Sequence, residues 1–127
     1  MIKGEFLSGD QMQGLAVFDV LKTAIERRRC VRVVADDLWR DVCPLALGYK
    51  GEKLKVLAFQ YRGGSTSGIA PEGGWRCFEL DEISFAKMND DPWHGGHNTV
   101  AKLEASLDTV ICGTGARVRT YDHLKRP

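Results

Sequence analysis

The chain has 127 residues, of which 43% are hydrophobic and 28% charged, and its formal net charge is +1. This size and composition predict one globular domain, residues 1–127, with a real hydrophobic core, and they exclude a disordered or fibrous protein. The N-terminus has no long apolar run, so neither a signal peptide nor a membrane span is expected. The cysteines form no Cys-x-x-Cys pair, which predicts a reduced, cytoplasmic protein.

Charge is distributed unevenly along the chain. Residues 22–62 contain ten Lys or Arg and five acidic residues, whereas residues 63–110 contain three basic and eight acidic residues. This distribution is not that of a uniformly basic protein, and it predicts one basic face. The alternative is a set of solvated charges scattered over the whole surface.

The first predicted element is an amphipathic helix over residues 11–29. The segment Ser8-Gly9-Asp10-Gln11 has the form of a capping box. After it, apolar residues recur at helical spacing on one face: Val17, Leu21, Ala24 and Ile25. The basic run Arg27–Arg29 ends the helix, where it either complements the helix dipole or contacts a ligand.

Short strands separated by turn residues follow over residues 30–88 and predict a small antiparallel barrel. The second of these strands should stop at Pro44, because proline cannot donate to a ladder. The last two should be joined through Asp81-Glu82. The glycine-rich segment Arg62–Gly74 lacks a P-loop ending and precedes a strand, so it is predicted to be a hairpin loop. The predicted strands are Val31–Val34, Trp39–Cys43, Lys53–Tyr61, Trp75–Leu80 and Ile83–Met88.

Residues 89–127 are predicted to be a short C-terminal extension, with a helix over residues 99–107 and a strand at Asp108–Cys112. The fold class is therefore α+β, with an N-terminal amphipathic helix packed on a small SH3-like (Sm-like) antiparallel β-barrel. No catalytic motif is present, and the chain is not expected to be an enzyme. His94 and His97 are weak metal candidates because Gly95-Gly96 between them disfavours a helix. No metal or other cofactor is predicted.

The order of a helix, a basic turn and these strands resembles the WYL domain, an SH3-like barrel of bacterial regulators. The resemblance covers about the middle half of the chain. At the name-giving Trp-Tyr-Leu position this chain has Lys55-Val56-Leu57, and the family's Asp-Arg-Ile is Asp81-Glu82-Ile83 here. No helix-turn-helix precedes the barrel. The matching segments are Ala24–Arg28, the strand with Arg32, Arg40–Leu45, the central strand and Arg76–Ile83.

The resemblance implies a regulatory, ligand-sensing domain that binds an anionic ligand, either single-stranded nucleic acid or a nucleotide. Arginine suits phosphate because its planar fork pairs bidentately, and Tyr61 is the candidate for base stacking. Trp39 and Trp75 could also stack, but they are predicted to be barrel core. The implied partners are a protein with a DNA-binding domain or a second copy. The alternative is a protein-interaction or dimerisation module without nucleic-acid binding. The candidate phosphate contacts are Arg32, Arg40, Arg62 and Arg76.

Overall fold

The computed structural model describes residues 9–64, 73–93 and 105–113, with only the backbone described for residues 9–15. It is an α+β structure, as the sequence predicts, with one long helix, α1, and a six-stranded antiparallel sheet. A 3₁₀ turn, Leu80–Glu82, joins the fourth and fifth strands. The predicted Ser8 cap, the tip of the glycine-rich loop and most of the predicted second helix lie outside the described residues. The elements are α1 Gly9–Arg27, β1 Val31–Ala35, β2 Leu38–Lys50, β3 Lys53–Gly63, β4 Gly74–Glu79, β5 Ile83–Met88 and β6 Thr109–Gly113.

The apolar stripe of α1 packs on the sheet. Its four predicted core residues are at most 3% exposed, and they belong to one cluster with the inward side chains of β1, β2, β3 and β5. The helix ends at Arg27, and Arg28 takes a left-handed backbone conformation with φ of 54°. The amide of Arg29 then donates to the carbonyl of Ala24, which directs the chain into β1.

The sheet has the order β4-β3-β2-β1-β5, and β6 pairs with β2. The predicted strands Trp75–Leu80 and Ile83–Met88 are present as β4 and β5, but they lie at opposite ends of this order. They do not form a hairpin, because the 3₁₀ turn carries the chain from one edge of the sheet to the other. Among the described strands β4 and β5 do not pair, so the sheet is not closed and the predicted barrel is not confirmed.

Strand β2 continues through Pro44, contrary to the prediction that proline ends it. β1 pairs with Leu38–Val42, and β6 pairs with Ala46–Tyr49. Pro44 lies between these two pairings and beside a bulge opposite β3, where the register shifts between Pro44 and Ala46. Bulges are among the few strand positions that tolerate a residue without an amide hydrogen.

Both faces of the sheet carry buried apolar residues. Leu57 alternates with Val56 and Ala58 along β3, so it faces away from α1 and joins a second cluster that contains Leu107. Trp75 packs against this cluster, and its ring meets that of Phe59 edge-on at 5.5 Å between centroids. Trp75 is therefore partly buried at the edge of this cluster rather than fully enclosed in the core.

We expect Gly48→Ala to lower the free energy of unfolding by about 1–2 kcal/mol, because overpacking forces the backbone to shift. A Cβ at this position would lie 2.0 Å from the carbonyl oxygen of Thr109 in β6. Chemical denaturation measures the loss. The comparison variant is Gly51→Ala, where φ is +60° and no atom lies within 4 Å of a Cβ, so it adds left-handed backbone strain without a clash against β6. Hydrogen exchange at Val110 should accelerate only in the Gly48 variant, and unchanged protection there would contradict the prediction.

Candidate functional site

The face of the sheet that points away from α1 carries a row of charged side chains across four strands. Arg32 of β1 lies between Lys87 of β5 on one side and Asp41 of β2 on the other. Asp41 in turn lies opposite Arg62 of β3. The residues next to them, including Val33, point to the α1 side, so alternation places this row on the other side. We call this surface the outer face. It consists of this row and the neighbouring row Phe85, Val34 and Trp39.

The second row is aromatic and exposed. Trp39 and Phe85 are both 46% exposed and flank Val34 on its two neighbouring strands. The prediction that Trp39 is core was wrong. Trp39 lies two residues before Asp41 on β2, so both side chains point to the outer face. The guanidinium of Arg32 lies over the Trp39 ring at 4.4 Å from its centroid, in a cation–π contact. Phe85 was not singled out from the sequence, although its alternation with Ala86 and Met88 was the available signal.

The centre of the charged row is a buried carboxylate. The side chain of Asp41 has no exposed surface, whereas those of Arg32 and Arg62 are about half exposed. Arg32 donates to both carboxylate oxygens, from Nε at 2.9 Å and from Nη2 at 3.0 Å. Arg62 donates from Nε to Oδ2 at 2.7 Å. Asp41 thus holds two guanidinium groups from neighbouring strands in fixed orientations.

These contacts change the acidity of the groups involved. Burial by itself would raise the pKa of Asp41, but the hydrogen bonds from Arg32 and Arg62 outweigh it, and the pKa lies below its ordinary value of 3.8. The hydrogen bond to Asp41 raises the pKa of both arginines. Near neutral pH Arg32 and Arg62 therefore stay cationic and Asp41 stays anionic.

The segment after β5, Asn89–Trp93, lies against one end of the outer face, and we call it the strap. Asp91 accepts hydrogen bonds from Arg62 Nη2 at 2.6 Å and from the Tyr61 hydroxyl at 2.8 Å. Asn89 Nδ2 contacts Asp41 Oδ1 at 3.3 Å and the Tyr61 hydroxyl at 3.2 Å. Burial raises the pKa of Tyr61 by more than the hydrogen bond from Asn89 lowers it, so the Tyr61 hydroxyl stays protonated. The strap supplies an internal anion to one arginine of the row.

A second ion pair ties the strap to the end of the helix. Arg29 donates from Nη2 to Asp90 Oδ1 at 3.0 Å. Of the three arginines at the end of α1, this one therefore has a specific acidic partner. The pair is exposed on both sides, so its contribution to stability is small.

Two of the predicted phosphate contacts lie elsewhere. Arg40 is only 3% exposed, because residue 40 points to the side of the sheet opposite to Asp41. Its Nη2 donates to the Ala35 carbonyl at 3.1 Å, and its guanidinium lies over the Phe78 ring at 5.2 Å. Arg76 is opposite Ala58 in the pairing of β4 with β3, and it also lies outside the row. The structure thus brings together Arg32, Arg62 and Tyr61, and separates them from Arg40 and Arg76.

Glu82 has a local structural contact. Its Oε1 accepts the backbone amide of Glu79 at 2.7 Å and caps the 3₁₀ turn that joins β4 to β5. It is not on the outer face row. The anion at this position therefore adds no negative charge to the cluster around Asp41.

Within residues 9–64, 73–93 and 105–113 no group of three or more His, Cys, Asp or Glu side chains could hold a metal ion. His94 and His97 lie outside these ranges. In the same part of the chain no helix is long and apolar enough to cross a membrane. No protein-family model, curated protein or solved structure matches the chain.

Proposed function

We propose that the outer face binds single-stranded nucleic acid in a regulatory role. The observation that carries the proposal is the pair of exposed rings, Trp39 and Phe85, in the row next to three cations. Aromatic rings stack with bases of any sequence, and basic side chains neutralise the phosphates that link them. The cations of the neighbouring row are Arg32, Arg62 and Lys87.

The spacing of the rows supports this function. Neighbouring strands lie about 4.8 Å apart, so the two rings, which are separated by one strand, are about 10 Å apart. That distance lets each ring take a separate base. The cation row lies two residues further along the strands, about 7 Å away, so phosphates can follow it while the bases cover the aromatic row.

The carboxylate of Asp41 supports binding by ordering its two arginines in advance. A guanidinium that is already fixed loses less conformational entropy when it meets a phosphate. Arg32 uses Nε and Nη2 for Asp41, and among the described residues no hydrogen bond involves its Nη1. This leaves donors of Arg32 available to an incoming anion.

The resemblance to the WYL domain is part of the same proposal. In this reading the described sheet corresponds to an SH3-like barrel, and the chain is a divergent relative of that family. Support comes from the helix before β1, five successive antiparallel strands, and β5 beside β1. The protein would then transmit ligand binding to a partner that carries a DNA-binding domain.

A protein-interaction or dimerisation module is the second candidate. The observation that favours it is the internal neutralisation of Arg62 by Asp41 and Asp91, which lowers the positive charge of the outer face. Trp39 and Phe85 would then be the centre of an apolar contact with a protein. Such a contact should be almost insensitive to salt, unlike a contact with phosphates.

Fluorescence-anisotropy titration with a labelled single-stranded oligonucleotide, at about 50 and about 200 mM salt, tests the proposal. With two or three phosphates neutralised, the logarithm of the association constant should fall with the logarithm of salt at a slope of about −1.5 to −2. Lys87→Gln should reduce the magnitude of this slope by about 0.7 and weaken binding uniformly across sequences. The matched control is Lys22→Gln on α1, which should change neither quantity. Absence of binding at low salt would reject the nucleic-acid function in favour of a protein partner.

A further inference from the structure

Two cysteine thiols lie in contact beneath the strap. The Sγ atoms of Cys30 and Cys43 are 3.4 Å apart, and both side chains are buried. Cys30 immediately precedes β1, and the pairing of Val31 with Val42 places Cys30 opposite Cys43 when the register is extended by one residue. The two thiols are therefore cross-strand neighbours on the same side of the sheet as Arg32 and Asp41.

This arrangement satisfies the main geometric requirement for a disulfide. Directly opposite residues in an antiparallel pair have Cα atoms about 4.5–5.5 Å apart, within the range of about 4.4–6.8 Å seen in disulfides. A sulfur–sulfur bond of about 2.05 Å would need the sulfurs to approach by about 1.4 Å, which side-chain rotation can provide. Cys77 and Cys112 lie on β4 and β6, where burial raises the pKa of each thiol.

We propose that Cys30 and Cys43 form a dithiol site that a hydroperoxide oxidises reversibly to a disulfide. The sulfur of one thiolate attacks a peroxide oxygen and the O–O bond breaks, which leaves a sulfenic acid. The departing hydroxide or alkoxide takes up the proton that the thiol had lost and leaves as water or an alcohol. The sulfur of the second cysteine attacks the sulfenic sulfur, the S–O bond breaks, and a water molecule leaves with the remaining thiol proton. Two thiols are oxidised by two electrons in all, and the peroxide is reduced by the same two.

The strap connects this site to the outer face. The Cys30 thiol donates to the Pro92 carbonyl at 3.2 Å, and the residue before Pro92 is Asp91, which binds Arg62. Oxidation removes the thiol hydrogen and with it this contact. The oxidation itself needs no nucleic-acid binding, so it can be tested independently of the proposed function.

To test this, folded Cys77→Ser/Cys112→Ser protein and wild type are treated with hydrogen peroxide in parallel. The intact mass of each protein is then measured. We expect a loss of about 2 Da, the mass of two hydrogens, which dithiothreitol restores. Trypsin separates the two cysteines into different peptides, so the disulfide is identified directly. In both proteins the linked peptides should be Cys30–Arg32 and Asp41–Lys50.

Two controls make the outcome decisive. Cys43→Ala should gain oxygen at Cys30 instead of losing two hydrogens, because the second thiol is absent. Oxidised protein should have a higher midpoint of thermal unfolding than reduced protein, since the bond closes the loop between β1 and β2. The proposal is overturned if folded protein accumulates only oxygen additions, if Cys77 or Cys112 supplies a partner, or if the disulfide forms only in denaturant.

Discussion

Replacement of Asp41 by Asn should lower the free energy of unfolding at pH 7 by about 2–3 kcal/mol, the largest loss of stability that we expect from one polar substitution. The variant keeps the shape of the side chain but removes the charge that Arg32 and Arg62 share. It also turns one acceptor oxygen into an amide donor that faces a guanidinium. The loss is smaller than for a fully buried ion pair, because both arginines are about half exposed to water.

The pH dependence of this loss follows from the direction of the pKa shift. The pKa of Asp41 is lower in the folded state than its ordinary value of 3.8, so the stabilisation is complete above that value and is lost as the pH falls through the folded pKa. The difference between wild type and variant should be constant above about pH 5 and shrink below about pH 4. Urea unfolding at a series of pH values measures both curves.

Asp37→Asn is the matched control for this experiment. Asp37 is exposed in the turn between β1 and β2, with φ of 61°, a conformation that Asn tolerates as well as Asp. Its substitution should change stability by less than about 0.5 kcal/mol at every pH. Equal stability of the Asp41 variant and wild type at pH 7 would show that the carboxylate does not hold the cluster together.

Removal of both exposed rings should weaken binding of single-stranded nucleic acid by about 30-fold or more. Base stacking on an aromatic side chain contributes about 1–3 kcal/mol for each base, and Trp39→Ala/Phe85→Ala removes two such platforms. The slope of affinity against salt should not change, because the cations remain in place. Anisotropy titration at several salt concentrations separates these two effects.

The chain offers a closely matched control for this double variant. Tyr49 and Ile111 are 40% and 44% exposed, but they lie towards the other end of β2 and on β6, away from the two rows. Tyr49→Ala/Ile111→Ala should leave affinity within about twofold of wild type. A similar loss in both double variants would mean that binding does not depend on the outer face. An unchanged affinity in the Trp39/Phe85 variant would reject stacking on these rings.

The amino-acid sequence predicted those elements that depend only on local periodicity. The helical spacing of Val17, Leu21 and Ile25 predicted the buried face of α1, because only residues three or four apart share a helix face. Alternation along Val31–Val34 and the turn residues at Asp36-Asp37 predicted β1 and the turn after it. These signals were sufficient for the α+β class, and the strand predicted at Asp108–Cys112 is present as β6.

Which side chains meet depends on how the strands pair, because pairing register is a property of residues far apart in sequence. Arg40 and Asp41 are neighbours in the chain, yet they lie on opposite faces of the sheet. Asp41 gathers Arg32 from β1 and Arg62 from β3, since both are its register partners. The continuation of β2 through Pro44 likewise depends on where its partner strands begin and end. A one-residue shift in register would have turned the cluster around Asp41 to the other face, and no local pattern reports that choice.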